Sequence, residues 1–312
     1  MPLSKSIYID KALSNISLAY RPTGLIADML SPRVPVVQDT GNYFIYTRDT
    51  LKLPDTQRAN GAAAREANWY LSTGSYSLVR HSLKSPVTDM DRANADPAIK
   101  LDADTTEILT DKILIRKEVD LANLCGTAAN WGNLTSLTST WAWSANTTLS
   151  NPITFVDSAT TNVAFRSGML ANTVALDHRT FKAAKEHVSV LDRIKYTSPD
   201  SVTPLMLAKL FNVDSVLVAS GVYDASPELY ITTTSHSWIW TDVAFVAYIP
   251  SSASQKTPSA LYQLTKNEFG NPWKVKKWRD EEIEGDQIEV STMYQHKVVA
   301  SDAAYLIYNT VQ

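Results

Sequence analysis

From Ala98 to Cys125 the chain carries neither glycine nor proline. An uninterrupted run of that length can be sustained as one helix, and this requirement constrains everything around it. Asp96 is placed to cap its start, Pro97 suits the first helical position, and Gly126 suits the stop. Leu101, Ile108, Ile115, Val119 and Ala122 recur at spacings of three, four or seven and predict the buried stripe. Lys112, Arg116 and Lys117 alternate with Glu107, Asp111 and Glu118 on the face expected to meet water. At about 1.5 Å per residue such a helix is roughly 40 Å long. That exceeds what the interior of one compact domain holds, so the helix is expected to be a spine along which other parts are arranged.

What lies on either side reads differently. Pro2, Pro22, Pro32 and Pro35 break up residues 1–40, which predict an irregular arm, either poorly ordered or ordered against a neighbour. Tyr43 to Thr47 and the run through Trp69, Tyr70, Tyr76, Leu78 and Val79 are strand-like, and the polar stretch between them predicts a projecting hairpin over 41–83. Its tip carries Arg58, Arg65 and Glu66, candidates for contact between subunits. Leu121 to Val156 holds no charged side chain but three tryptophans, Trp131, Trp141 and Trp143. They fit a loop packed on its own domain, or a surface buried against another subunit.

Residues 161–249 read as an α/β unit. Its strands are predicted at Thr173–Leu176, Val216–Val218 and within Trp238–Ile249, and its helices at Thr203–Phe211 and at Arg179–Leu191, the latter burying Phe181, Ala184, Val188 and Leu191. Residues 250–312 return to strands. Trp273–Arg279 and Gln287–Tyr294 flank an acidic turn, and Ala304–Asn309 closes the chain.

The chemistry-bearing motifs are missing. There is no phosphate loop, no dinucleotide loop and no nucleophile elbow, and the five histidines form no metal-binding pair. Asp177–His178 and Glu186–His187 set a carboxylate beside an imidazole, but adjacent helical residues point in different directions. Asp89 and Asp91 read as a turn and cap. No catalytic, cofactor-binding or metal-binding residue is assigned. Lys274, Lys276, Lys277 and Arg279 alternate with Trp273 and Trp278, which fits either stacking on nucleic acid or a hairpin with cross-strand charge pairs. With 29 basic against 32 acidic side chains the net charge is −3, far from the basic excess of a dedicated nucleic-acid binder. The single Cys125 excludes an intrachain disulfide. Residues 1–20 contain no secretory apolar core, and the most apolar stretch, Ser237–Pro250, is short and holds Asp242, so a soluble intracellular protein without a membrane partner is expected.

The order of parts resembles the major capsid protein of tailed bacteriophages, with the α+β Hong Kong 97-like capsid fold. Asp104–Leu124 (DTTEILTDKILIRKEVDLANL) resembles that family's spine segment. Asn172–Phe181 (NTVALDHRTF) and His187–Thr197 (HVSVLDRIKYT) resemble the opening of its axial domain, which Ala208–Val218 and Ile239–Tyr248 continue. The resemblance implies an N-terminal arm (1–40) and an extended loop (41–83). It further implies a peripheral domain (84–160, spine about 97–125), an axial domain (161–249) and a peripheral hairpin with a returning strand (250–312). It also implies copies tiling an icosahedral head as hexamers and pentamers, assembled in the host cytoplasm around double-stranded DNA that is touched weakly and without sequence preference. A separate scaffolding protein, a portal and, as an optional addition, a decoration protein are the other implied partners. The lysine–asparagine crosslink of some members is not carried over, because residues 54–68 hold no lysine. A tail-tube or other virion component, and an enzyme with a pocket in 161–249, stand as the competing readings.

Overall fold

A computed structural model describes residues 8–9, 24–47, 51–53, 55–61, 63–64, 66, 71–95, 100–195, 202–226, 235–268 and 270–312. In chain order the elements are β1 (Tyr8–Ile9), α1 (Ala27–Leu30), β2 (Arg33–Val36), β3 (Thr40–Ile45), β4 (Ser72–Ser77), β5 (Val79–Thr88), α2 (Asp89–Asn94) and α3 (Leu101–Gly126). They continue with β6 (Leu134–Ser136), α4 (Pro152–Ser167), β7 (Thr173–Asp177), α5 (His178–Glu186), α6 (Val188–Ile194) and α7 (Pro204–Leu210). Last come β8 (Ser215–Ala219), β9 (Val222–Asp224), β10 (His236–Trp238), β11 (Val243–Ala247), β12 (Leu261–Lys266), β13 (Trp273–Asp280), β14 (Gly285–Val298) and β15 (Ala304–Tyr308).

Two sheets organise these elements. The first runs β1-β13-β14-β12-β2, with β5 also paired to β14; the second runs β6-β15-β11-β7-β8. Every residue of β7 and β11 is buried, as expected for strands covered on both faces. Alternate side chains serve two cores. Val174, Leu176, Ala244 and Val246 pack with Val156 and Val163 of α4, Ala184 of α5, Val190 of α6 and Leu207 of α7. Ala175, Val243, Phe245 and Leu306 face the other way, against Leu121 and Cys125 of α3, Trp131, and Leu30 of α1. The closing strand β15 therefore belongs to the second sheet, antiparallel to β11, and not with the peripheral hairpin as the sequence order implied. Likewise β5, whose start was assigned to the projecting loop, pairs with β14 along its whole length.

Helix α3 is the predicted spine. It spans 26 residues, about 39 Å, and serves both sheets. Leu109, Ile113 and Leu114 pack on Val275, Ile288 and Val290 of the first sheet, while Leu121, Ala122 and Cys125 enter the core of the second. The start expected at Asp96–Pro97 lies outside the described residues, and the described helix begins at Leu101 after Lys100. Its buried face differs from the predicted stripe. Thr106, Leu109, Thr110, Ile113, Leu114, Lys117, Glu118, Leu121, Ala122 and Cys125 are buried, whereas Ile108 is 60% exposed and Ile115 and Val119 are only partly covered. The buried face contains two threonines and two charged residues, so hydropathy alone selects the neighbouring stripe. Leu121→Ala is expected to cost about 2–5 kcal/mol through the cavity it leaves, and Ile108→Ala at most about 0.5 kcal/mol. Denaturant unfolding of the two variants tests this phase, and equal losses would refute it.

Two other corrections concern helices. α4 arises inside the stretch read as loop, with Asn151 accepting a hydrogen bond from the Ile153 amide at 3.0 Å, Pro152 at the first turn and Gly168 in the left-handed conformation at its end. The helix predicted over 179–191 is two helices, broken at His187. Its face is accordingly split: Ala184 is buried and Phe181 partly buried, but Val188 and Leu191 are 50% and 45% exposed.

Candidate assembly surfaces

The arm's end is held to the spine by two consecutive residues that a surface helix would turn to water. The Glu118 carboxylate, fully buried, accepts hydrogen bonds from the Ile26 and Ala27 amides at 3.0 and 2.7 Å and from Trp240 Nε1 at 2.6 Å. It thus caps α1 from a distant part of the chain, satisfying amides that a helix start leaves unpaired. Beside it the Lys117 ammonium pairs with Asp28, which also takes Arg33 at 2.6 Å. Burial is the largest influence on Asp28 and would raise its pKa, yet Lys117 and Arg33 together hold the carboxyl well below the usual range. Glu118 goes the other way: burial pushes it up, against the bonds donated by Trp240, Ile26 and Ala27. A cavity of about 410 Å³ lies beside this junction, lined by Leu25, Met29 and Leu114 among others.

His296 sits under the same junction, with Nδ1 against Ser31 Oγ at 3.1 Å. Burial, then the charge of Lys117, moves its imidazole from an ordinary 6.5 down to about 3. An imidazole neutral in the fold and protonated when unfolded gives a contribution that is complete above pH 6.5 and is lost as the pH falls toward 3. Unfolding free energies from denaturant titrations down that range should fall by an amount on the order of a few kcal/mol, with a flatter profile in His296→Leu. An unchanged slope in the variant would remove His296 from the account.

The projecting hairpin is built from β3 and β4, paired from Thr40–Ser77 to Ile45–Ser72. Gly41 lies opposite Tyr76 and Gly74 opposite Tyr43, and a Cβ on either glycine would meet the facing tyrosine at 2.8 Å, the hydroxyl of Tyr76 and the ring of Tyr43. The rings thereby cover the two glycines. Tyr76 and Leu78 anchor the hairpin on Val34, Val36, Tyr262 and Leu264 of the first sheet. Beyond this base the described residues Asp55 to Gly61 and Glu66 are exposed, Arg58 and Glu66 among them; Arg65, Trp69 and Tyr70 lie outside the described residues.

The candidate chemical residues resolve into structure. Asp177 caps its own helix through the Arg179 and Thr180 amides, and His178 stacks on Trp238 at 5.3 Å. His187 bonds Ser150 and Ser189. Asp91 completes a capping box with Thr88, and Asp89 pairs with Arg279. On β13, Lys274 pairs with Glu268, Lys276 with Glu289, and Lys277 with Asp102 and Asp286. These ion pairs accord with the charge-pair reading of that strand. Among the described residues no group of three or more His, Cys, Asp or Glu is placed to hold a metal ion, and no helix is long and apolar enough to cross a membrane.

No family model matches the chain. It is 25% identical over 312 residues to the major capsid protein of Burkholderia phage BcepMu, an alignment covering 98% of this chain and 97% of that protein. In structure it is similar to a phage-related protein from Bordetella bronchiseptica RB50, with a TM-score of 0.80 at 23% identity over 98% of this chain and 99% of the other. The capsid of cyanophage P-SCSP1u superposes with a TM-score of 0.63 at 12% identity, over 93% of this chain and 89% of that one. The chain has the Hong Kong 97-like fold of phage capsids, and over nearly its full length it is similar in sequence to a phage major capsid protein.

Two of the three candidate contact tryptophans are interior. Trp143 is fully buried, and Trp131, 4% exposed, lies edge-on to Phe245 and donates to the Cys125 carbonyl at 2.8 Å. Both are packed within the cores of their own chain. Trp141 is 43% exposed and stays available. Hydropathy missed a different surface: Phe165 and Leu170 are 86% and 76% exposed on either side of Gly168, against which Leu51 packs. The signal was the Asn151–Pro152 start and Gly168 stop of α4, which place Phe165 outside the row Ile153, Val156, Ala159 and Val163.

Proposed function

We propose that many copies of this chain close into the icosahedral head of a phage, grouped as hexamers and pentamers around packaged double-stranded DNA. The observation that carries the reading is the full-length likeness to a phage major capsid protein, covering nearly all of both chains and joined to the same capsid architecture. The subunit's role is structural and not enzymatic. Its chemistry accords with that role, since the described carboxylates and imidazoles with candidate spacing serve as caps, stacks and charge pairs. Arg58, Arg65, Glu66 and Trp141 are proposed to meet neighbouring subunits. A scaffolding protein, a portal and a decoration protein are proposed partners, with assembly in the host cytoplasm. The cationic side chains of β13 are engaged with carboxylates, which supports weak, sequence-independent contact with DNA.

Electron micrographs of the purified protein, alone and with a co-expressed scaffolding partner, test the reading. Closed isometric shells are expected. Tubes would assign the chain to a tail, and small uniform particles under both conditions would overturn the capsid role.

A further inference from the structure

We infer that Asn60–Gly61, at the tip of the projecting loop, is a site of spontaneous deamidation. The reaction needs three things: an asparagine carboxamide free to turn, a following amide nitrogen able to reach it, and no side chain on the following residue to crowd the ring. The first and third are met on the described residues, and the exposed turn leaves the carboxamide room to swing toward the following nitrogen. Asn60 and Gly61 are both exposed and lie in a turn. Gly61 has φ +83°, and nothing lies within 4 Å of where its Cβ would be. Among the described residues nothing hydrogen-bonds the Asn60 carboxamide, in contrast to Asn133, whose carboxamide donates to the Asp302 and Ala304 carbonyls, and Asn172, which bonds Ile249 twice. No other asparagine in the chain precedes glycine, and Asn151 and Asn271 precede proline, which has no N–H to attack.

The bond changes balance without an oxidant or a reductant. The Gly61 nitrogen, giving up its proton to water, bonds to Asn60 Cγ; the Cγ–Nδ2 bond breaks and ammonia leaves with a proton returned from solvent. The five-membered succinimide then adds water at one of its two carbonyls. Opening at Cγ gives an ordinary aspartate, and opening at the main-chain carbonyl gives isoaspartate, in which the backbone runs through the former side chain. Either product adds one negative charge two residues along the chain from Arg58, and isoaspartate also lengthens the loop backbone by one carbon. Resting on the proposed function, in which this tip lies on a neighbouring subunit, the tip would be altered in subunits that wait unassembled and shielded in those that have closed into shells.

The test incubates the free full-length subunit at mildly alkaline pH beside a synthetic peptide spanning Asp55 to Ala64, with peptide mapping by mass and by separation of the aspartate and isoaspartate forms. Conversion at position 60 in step with the peptide, and its loss in Asn60→Gln, is the expected result. An intact Asn60 when the peptide has fully converted would overturn the inference. Assembled shells incubated in parallel address the other premise: slower conversion in shells supports a covered tip, and equal conversion would leave deamidation standing while refuting the tip's place in an interface.

Discussion

Glu118→Ala should destabilise the subunit by about 3 kcal/mol or more. The substitution strands three buried donors, the Ile26 and Ala27 amides and the Trp240 indole, and each unsatisfied donor costs about 1–3 kcal/mol. Part of that loss is offset, because the buried carboxylate is itself held in an unfavourable medium, as its raised pKa records. Glu118→Gln separates the two effects. Its oxygen keeps the two backbone amides, but its NH₂ faces the indole N–H, donor against donor, so about 1–2 kcal/mol should be lost. Denaturant unfolding gives the energies, and limited proteolysis around residues 24–36 should rise in the alanine variant first. An alanine variant within about 0.5 kcal/mol of the parent would show that the arm is held by its apolar contacts alone.

Shortening the loop is expected to do the reverse, leaving the monomer and removing the shell. The described residues of this stretch contribute little to any core: Thr56 to Gly61, Ala63, Ala64 and Glu66 are exposed, and the hairpin's anchorage runs through Tyr76 and Leu78. Replacing 56–68 by a short Gly-Ser turn should therefore leave the thermal midpoint of the free subunit unchanged. In a closed shell the same loss recurs at every subunit, and a contact worth about 1.4 kcal/mol changes each association step tenfold. Assembly reactions viewed by electron microscopy should show soluble subunits and no closed heads. Normal heads from the shortened chain would remove the loop from the interface, and an unfolded monomer would place it in the core.

The two variants probe parts of the molecule that differ in how far they could be read in advance. The spine's existence followed from the absence of glycine and proline over 98–125, because backbone freedom is a local property and each residue contributes to it independently. The hairpin's first strand was legible for the same reason, from the aromatic and β-branched run Tyr43, Phe44 and Ile45, whereas of the run read as its second strand only Tyr76 lies in β4. β7 and β11 were legible too, since a strand buried on both faces is apolar through its centre; only Thr173 and Asp177, at the ends of β7, are polar.

What hydropathy could not supply was which face of a helix is covered, or by what. On α3 the apolar residues line two adjacent faces, and the sheet's position chose the one that includes Thr106, Thr110, Lys117 and Glu118. A charged side chain is buried only where partners from distant segments converge on it, here Asp28, Ile26, Ala27 and Trp240. That convergence is a fact of three dimensions with no trace in local sequence. The same holds for Trp143, interior although its stretch is polar, and for β15, which enters the second sheet because β11 and β6 flank the place it fills. The sequence alone determined the elements whose backbone preferences are local. Only the tertiary structure decided the pairing of strands, the phase of the spine and the fate of its charges, because those depend on contacts between residues far apart in the chain.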